Sequence, residues 1–347
     1  MTLAARWTRF VEWIGEPEGA TSLALFRIGI GLSVLYTVGI MVLRGLVDVL
    51  WVDLAHGGLS PLHEGPWLIS WFGGPTPTVV WTFVVLSLLS GVALTIGFGG
   101  RFAAFVALLV TTNLVDLNNQ AGGSYDELLS NGLWLCLLGG GFRTLSVDAW
   151  RTHGKVWPEV PVVAIVRWLA VWQLVLMYGS TGLQKVSAYW VPGGESSALY
   201  YILQQPSWHR FDMSFMAWLF PLTQLATLVT WFWEVLSPLW LIALAWDRER
   251  DGVHPTTGLR GWVSRLRVRW IFFGVGVAMH LLIHATMDVG PFGVVSLAFY
   301  PVMVHPEEWR AFGRWLGWPN LRSGNEDERD ALGGDVELGD HALGRGQ

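Results

Sequence analysis

Lysine is nearly missing from this chain of 347 residues, whose 22 lysines and arginines include only two lysines, Lys155 and Lys185. Charged residues of both signs make up 14% of the chain, whereas about a quarter of a typical soluble domain is charged. The single cysteine, Cys136, excludes an intrachain disulfide and a metal site built from several cysteines. Basic clusters with interleaved aromatic residues are also missing, so no nucleic-acid partner is predicted.

The abundant residues indicate an integral membrane protein. Hydrophobic residues make up 52% of the chain, and its 23 tryptophans are typical of side chains that collect at membrane–water interfaces. A helix needs roughly 20 apolar residues to cross a bilayer. We therefore predict an all-α polytopic bundle of about eight transmembrane helices, some of them short or broken, at 22–46, 77–97, 102–117, 127–143, 161–186, 217–246, 271–288 and 291–305.

Arginine alternates between the loops on the two sides of these predicted spans. With the N-terminus inside, nearly all of the loop arginines lie inside, while the outer loops retain only Lys185 and Arg210. Positive residues favour the cytoplasmic side, so both termini are predicted to be cytoplasmic, with the chain in the cytoplasmic membrane. We expect an interfacial segment at 1–20, a transmembrane domain at 21–315 and a disordered tail at 316–347.

Three polar residues within the predicted spans are candidates for function, because ionisable groups in a membrane are costly unless paired or hydrated. Arg27 either anchors its helix at the cytoplasmic surface or lines a pocket. Glu234, four residues before Pro238 in a helix predicted to kink, either pairs with an arginine or tunes a base. His280 shares a helical face with His284, as a packing pair or as a proton-handling group. The pattern of a zinc protease is missing, and no metal site is predicted.

An outer loop between two short spans, residues 116–127, is rich in amides, carboxylates and glycines. It is either a polar turn or part of the wall of a pocket, because backbone that leaves a helix within a membrane must line a cavity rather than lipid. The candidate pocket residues in this loop are Asn119, Ser124, Tyr125 and Asp126.

Lys185 lies on the predicted outer face, at the end of a long apolar run. One interpretation is a lysine that extends from a helix end to the membrane surface. The other is a base, since a lysine loses its proton readily when desolvated. Desolvation by Tyr178, Tyr189 and Trp190 would favour the neutral amine, which supports the second interpretation.

The segment from Tyr178 to Lys185, followed by Tyr-Trp-Val-Pro-Gly at 189–193, resembles the vitamin K-dependent γ-carboxylase family and its bacterial group of horizontally transferred transmembrane domains. The resemblance is collinear over about residues 20–315. It includes Leu-Phe-Arg at 25–27, Ser-Val-Asp at 146–148 and the stretch from His280 through Gly-Pro-Phe at 290–292 to Pro-Glu-Glu-Trp at 306–309.

This resemblance implies a quinone-linked membrane enzyme in which Lys185 acts as a base towards reduced vitamin K or menaquinol, with O2 and CO2 as co-substrates. The hydroquinone reacts with oxygen, and the strong base that results removes a proton from an unknown peptide or small-molecule substrate, which is then carboxylated. His280 and Glu234 are expected to tune proton transfer, and Arg27, Tyr178, Trp190 and the 116–127 loop to line the pocket.

Three departures from the family pattern favour a different substrate from that of the animal enzyme. Gly123 stands where the family has a functional histidine, and Gln184 stands where the animal enzyme has the first of two lysines. We also expect no large lumenal domain after the membrane unit. The alternative function is a non-catalytic protein that binds lipid or quinone, or a small-molecule permease.

Overall fold

The structure is a computed structural model that describes residues 2–62, 65–247 and 257–318. It is 70% helical. The described residues form α1 (Leu3–Gly15), α2 (Thr21–Leu43), α3 (Val47–Trp51), α4 (Trp67–Trp71), α5 (Pro77–Ile96), α6 (Gly100–Val115), α7 (Ser124–Leu138), α8 (Val147–His153), α9 (Ile165–Gln184), α10 (Ala198–Leu203), α11 (Phe220–Val235), α12 (Ser237–Asp247), α13 (Gly258–Arg265), α14 (Val268–Thr286), α15 (Phe292–Ala298) and α16 (Pro306–Trp315). Short 3₁₀ turns lie at Leu54–His56, Gly141–Arg143, Ser214–Ala217 and Tyr300–Met303.

The all-α prediction needs one correction, because two short strands pair in antiparallel fashion. They are β1 (Pro17–Gly19) and β2 (Pro161–Val163). The strand β2 occupies the start of the predicted span 161–186, so the helix there begins only at Ile165. Arg167 of α9, which is fully buried, donates to both carboxylate oxygens of Glu18 at 2.7 and 2.8 Å. This ion pair links the sheet to the helix that carries Lys185.

Within the described residues, three helical stretches are long and apolar enough to cross a membrane: Thr21–Leu43, Pro77–Ile96 and Gly258–Thr286. A fourth is added if the bent pair Phe220–Val235 and Ser237–Asp247 counts as one span. Gly100–Val115 and Phe292–Met303 are apolar but shorter. The part of the chain that the structure describes therefore has three or four long apolar helices, which indicate a membrane protein, and the predicted count of eight spans is not confirmed.

The predicted kink after Glu234 is present. The axes of α11 and α12 differ by 57°, and Pro238 is the second residue of α12. A proline has no N–H to donate and its ring clashes with the preceding turn, which ends a straight helix at this point. The break places Glu234 in the last turn of α11, next to an irregular backbone.

The core forms around α2, whose small residues allow close packing of its neighbours. A methyl group on Gly29 would lie 2.9 Å from the backbone of Ala298 in α15, and one on Gly31 would lie 2.7 Å from the backbone nitrogen of Thr95 in α5. Buried Ile30 and Val34 continue the apolar face between these contacts. Small residues at such crossings are typical of helix packing in membranes.

The Ser-Val-Asp turn has a structural role at two helix N-termini. The Ser146 hydroxyl accepts a hydrogen bond from the Ala149 N–H at 2.9 Å and caps α8. The Asp148 carboxylate accepts from the N–H groups of Gly99 and Gly100, at 3.3 and 2.8 Å, at the start of α6. Carboxylates stabilise helix N-termini because the N–H groups there have no partner within the helix.

The division of the chain into an interfacial segment, a transmembrane domain and a disordered tail stays a prediction. Helix α1, within the predicted interfacial segment 1–20, leaves Leu3, Trp7 and Phe10 exposed. The predicted disordered tail 316–347 lies outside the described residues from 319 onward.

Candidate active site

Lys185 follows the last residue of α9 and pairs with Glu234 of α11. Its Nζ donates hydrogen bonds to both carboxylate oxygens, at 2.5 Å to Oε1. The side chain of Lys185 is 19% exposed and that of Glu234 is 7% exposed. The partner of Glu234 is therefore this rare lysine rather than an arginine, in an ion pair that solvent reaches mainly from the lysine side.

Two tryptophans complete the surroundings of Lys185. Its Nζ lies 4.5 Å from the centre of the Trp190 ring, a distance that allows cation–π attraction. The indole N–H of Trp231, one turn before Glu234 in α11, donates to the backbone carbonyl of Lys185 at 3.2 Å. The first contact positions the amine, and the second fixes the end of α9 against α11.

Glycines in the last two turns of α9 allow this pairing. A methyl group on Gly182 would lie 2.7 Å from Cβ of Glu234, and one on Gly179 would lie 3.2 Å from Oγ of Ser237. The Ser237 hydroxyl in turn donates to the Val175 carbonyl at 3.1 Å. The end of α9 therefore lies directly against the break between α11 and α12.

A buried hydrogen-bonded cluster lies two helical turns before Lys185. The Tyr178 hydroxyl is 2.5 Å from Nε2 of His280 and 3.2 Å from the Tyr300 hydroxyl. His280 is fully buried, and its Nδ1 has no partner. Because residues seven apart share one face of a helix, Tyr178 and Lys185 point to the same side of α9.

Trp233 connects the Tyr178 cluster with the Lys185–Glu234 pair. It packs edge-on against Tyr178 with ring centroids 4.4 Å apart, and its indole N–H donates to the Phe272 carbonyl of α14 at 2.9 Å. Trp233 precedes Glu234 in the chain, so the aromatic contact and the ion pair are held by successive residues. A movement of α11 would therefore act on Tyr178 and Lys185 together.

A comparison with known families identifies the domain that contains Lys185. A family model of the HTTM domain matches residues 16–256 of the chain. The chain belongs to the HTTM-domain family. This domain is found in vitamin K-dependent γ-carboxylase-like proteins. No curated protein and no solved structure matches the chain. Lys185, Glu234 and Tyr178 lie within the matched HTTM domain, whereas His280 and Tyr300 follow it in sequence.

In this HTTM-domain protein, Arg27 bonds to backbone carbonyls rather than extending to a surface. Its guanidinium donates to the carbonyl oxygens of Gly141 at 3.1 Å, of Thr95 at 3.2 Å and of Leu145 at 2.6 Å, and also to that of Leu94. The residue is 1% exposed. It ties α2 to the C-terminus of α5 and to the 141–145 turn, and none of its hydrogen bonds leads to Lys185.

The residues of the 116–127 loop likewise make their contacts with residues other than Lys185. Asn119 and Ser124 are exposed, and Tyr125 lies against Gly290 in the turn before α15. The Asp126 carboxylate accepts a hydrogen bond from the Gly123 N–H at 2.8 Å. Burial raises the pKa of Asp126 to about 6, the Gly123 hydrogen bond partly offsets this, and the charges of Asp116 and Glu127 add to the increase. The role of this loop as a pocket wall stays a prediction.

The described residues contain no group of three or more His, Cys, Asp and Glu side chains that could hold a metal ion. At the Lys185–Glu234 pair, a proton donor and a proton acceptor lie within hydrogen-bonding distance of each other. The amine and carboxylate can share one proton, as an ion pair or as two neutral groups, and a less polar environment favours the neutral form. In that form the amine is a base.

The structure brings together Lys185, Glu234 and Trp190, and separately Tyr178 with His280, all of which were predicted from the sequence. It adds Gly182, Trp231, Trp233 and Tyr300, which were not. The spacing of Gly179 and Gly182 was a usable signal, because small residues close together on one helix face indicate a close neighbour. No signal in the sequence distinguishes Trp231 or Trp233 from the other tryptophans.

Proposed function

We propose that this HTTM-domain protein is a quinone-linked membrane enzyme in which Lys185 is the base that activates a hydroquinone. The observation that supports the proposal is the Lys185–Glu234 pair, held at a helix end, largely out of solvent and under the Trp190 ring. The Glu234 carboxylate lies within hydrogen-bonding distance of the Lys185 amine, so it can accept the proton that Lys185 must lose before it acts as a base.

The residues around Lys185 fit a reduced quinone. Its phenolic hydroxyl can donate a hydrogen bond to an amine or a carboxylate, and its flat ring can stack on the ring of Trp190, which lies over the Lys185 amine. Reduced vitamin K or menaquinol would supply the electrons for reaction with O2, coupled to proton abstraction from the substrate or to its carboxylation by CO2. Lys185 and Glu234 would receive the phenolic proton.

Glu234 has a defined role in this proposal. While it accepts hydrogen bonds from Lys185, the carboxylate fixes the direction of the amine and prevents its rotation into solvent. When the proton moves from Lys185 to Glu234, both groups become neutral, and the amine presents a free lone pair without a buried charge being left behind. Tyr178 and His280 are proposed to tune this step from two turns away.

A second candidate is a non-catalytic membrane protein that binds a lipid or quinone, or a permease. The observation that favours it is the same ion pair, because two charges that satisfy each other also link α9 to α11 as a purely structural contact. The two candidates differ in what happens when Lys185 keeps its charge but loses its ability to act as a base.

The test is hydroquinone-dependent oxygen uptake in membranes that contain the wild type, Lys185→Ala, Lys185→Arg or the control Lys155→Ala. Arginine keeps the charge and the pairing with Glu234 but does not deprotonate in proteins. The proposal expects uptake with menaquinol or vitamin K hydroquinone in the wild type and in the Lys155 control, and its loss in both Lys185 variants. Lys155 is exposed, so its replacement controls for expression and insertion.

Equal uptake by the wild type and Lys185→Arg would exclude the base role, while no uptake by any protein would favour the binding or transport candidate. If uptake is confirmed, incorporation of labelled CO2 into peptides or small molecules added to the same membranes would identify the acceptor. Glutamate-containing peptides are the first to be tried, since the resemblance to the γ-carboxylase family suggests them.

A further inference from the structure

A cavity of about 400 Å³ lies away from Lys185, between the end of α12, helix α13 and the start of α14. Its wall includes Asp247, Ser264, Arg267, Arg269 and Glu308, the last of these from α16. Tryptophans 246 and 270 line it as well. A polar cavity with several charged walls is unusual in a chain of which only 14% is charged.

On one side of the cavity, two carboxylates share a single arginine. Arg269 is 4% exposed and forms ion pairs with two carboxylates. Its Nη2 lies 2.7 Å from Oδ2 of Asp247 and 2.6 Å from Oε1 of Glu308. The two acids keep 21% and 33% of their side-chain surface exposed. One cation therefore neutralises two anions, and one negative charge is left over on this side of the cavity.

Arg267 supplies the matching positive charge. Within the described part of the chain, its guanidinium makes no hydrogen bond or ion pair, although it lines the cavity. The Ser264 hydroxyl, three residues before Arg267 in the chain, donates a hydrogen bond to Oδ1 of Asp247 at 2.9 Å. Among the described residues that line the cavity, two arginines balance two carboxylates, with Arg267 unpaired and one carboxylate charge left over.

The cavity lies where the ends of two apolar helices meet, as expected at a membrane–water interface. The apolar helix α12 ends there at Asp247, and the apolar helix α14 begins there at Val268. The connecting helix α13 exposes Leu259 and Trp262, followed by Leu266. Exposed tryptophan and leucine beside the ends of apolar helices are typical of the headgroup level of a bilayer.

We infer that this cavity binds the headgroup of a phospholipid that carries a phosphate and a primary ammonium, with the phosphate at Arg267 and the ammonium at Asp247 and Glu308. Arginine suits a phosphate because its fork of donors matches the phosphate oxygens. An ammonium with three N–H donors can bond to both carboxylates. A trimethylated ammonium has no such donors, and the face of Trp270, one of the two tryptophans that line the cavity, is already occupied by the Arg269 guanidinium at 4.7 Å.

The test measures the thermal stability and lipid binding of the full chain in phosphatidylcholine nanodiscs, with or without phosphatidylethanolamine or phosphatidylglycerol. The variants are Arg267→Gln and the matched control Arg265→Gln, whose exposed arginine lies in α13 but does not line the cavity. We expect phosphatidylethanolamine to raise the melting temperature of the wild type and of the control. In Arg267→Gln its affinity should fall about tenfold or more, the effect of losing one charge-assisted contact.

Equal melting of the two variants in phosphatidylcholine alone shows that Arg267→Gln folds normally. Stabilisation by phosphatidylglycerol as strong as that by phosphatidylethanolamine would overturn the role of the ammonium. An equal response of the two variants would overturn the role of Arg267. Soluble phosphoethanolamine is added in a separate arm, and stabilisation by it without any by the lipid would overturn the assignment to a membrane lipid.

Discussion

Gly182 and Glu234 lie so close that a methyl group on the glycine would be 2.7 Å from Cβ of the glutamate. The backbone nitrogen of Val235 is almost as near, at 2.8 Å from the same position. Because backbone cannot move aside as a flexible side chain can, the approach of α9 to α11 depends on the missing side chain at 182. This contact holds the Lys185 amine within reach of its carboxylate.

Gly182→Ala is therefore expected to push α9 away from α11 and to weaken the Lys185–Glu234 pair. Overpacking of this kind costs about 1–3 kcal/mol of unfolding free energy. The measurement is thermal or denaturant unfolding in detergent, with Gly274→Ala as the control. A methyl group on Gly274, in α14, would meet nothing within 4 Å, and alanine there should be neutral or should stabilise the helix. Equal stability of the two variants would contradict the close approach.

Tyr178→Phe is expected to lower stability by about 1–3 kcal/mol, because it removes the hydroxyl that lies 2.5 Å from Nε2 of His280 and leaves a buried ring nitrogen without a partner. The matched control is Tyr189→Phe. Tyr189 is 48% exposed, and its replacement should change stability little. If both variants melted at the wild-type temperature, the buried cluster would have no role in stability. Should the hydroquinone activity be found, its pH profile in Tyr178→Phe then tests whether the cluster tunes Lys185.

Arg27→Gln should be among the most destabilising single changes in the chain. It removes donors from the carbonyls of Gly141, Leu94 and Leu145 at a buried junction, and a loss of about 3 kcal/mol or more is expected. Arg44→Gln is the control, because the Arg44–Asp288 pair is 48% and 39% exposed, and exposed pairs contribute about 0–1 kcal/mol. The two unfolding curves can be compared directly, and a smaller effect at Arg27 than at Arg44 would refute the structural role.

Asp126 gives a prediction for pH dependence. Burial raises its pKa in the folded state to about 6, above the ordinary value of 3.8, so the folded protein holds this proton more tightly than the unfolded chain. The stability that the protonated group contributes is complete below the ordinary value and is lost as the pH rises through about 6. Unfolding free energy should therefore fall across this interval.

Asp126→Asn should flatten that part of the profile, because the amide cannot ionise but can still accept the hydrogen bond from the Gly123 N–H. The control is Glu12→Gln, which replaces an exposed carboxylate of α1. Melting temperatures between pH 4 and 7 provide the measurement. A slope in Asp126→Asn as steep as in the control would show that Asp126 is not the group responsible.

Much of the fold follows from local patterns. The apolar runs at 22–46 and 77–97 correspond to α2 and α5, since a run of that length has few alternatives to a buried or membrane-crossing helix. Pro238 indicated the break after α11 for an equally local reason. The strand β2 was missed, because its pairing with β1 joins residues 17 and 163, which no local pattern relates.

In the candidate site, too, the sequence identified individual residues but not the contacts between them. Composition and position together singled out Lys185, because it is one of only two lysines and lies at the end of a long apolar run. Glu234 was also identifiable, as a carboxylate in an apolar run. Their pairing was not, since many cations in the sequence could have served as the partner. For Arg27, the residue type suggested a surface anchor, whereas the structure shows a buried side chain that connects α2 to α5 and to the 141–145 turn.

The sequence by itself determined that this is a membrane protein of mostly helical structure, with an uncommon lysine at a helix end. These properties depend on composition and on hydrogen bonds within a helix, which neighbouring residues decide. Only the tertiary structure decided that Lys185 pairs with Glu234 and that Tyr178 forms a hydrogen bond with His280. The same is true of the ion pairs that Arg269 forms with two carboxylates. Such contacts join distant parts of the chain, and which ones form depends on how closely the helix backbones can approach, as the glycine at 182 illustrates.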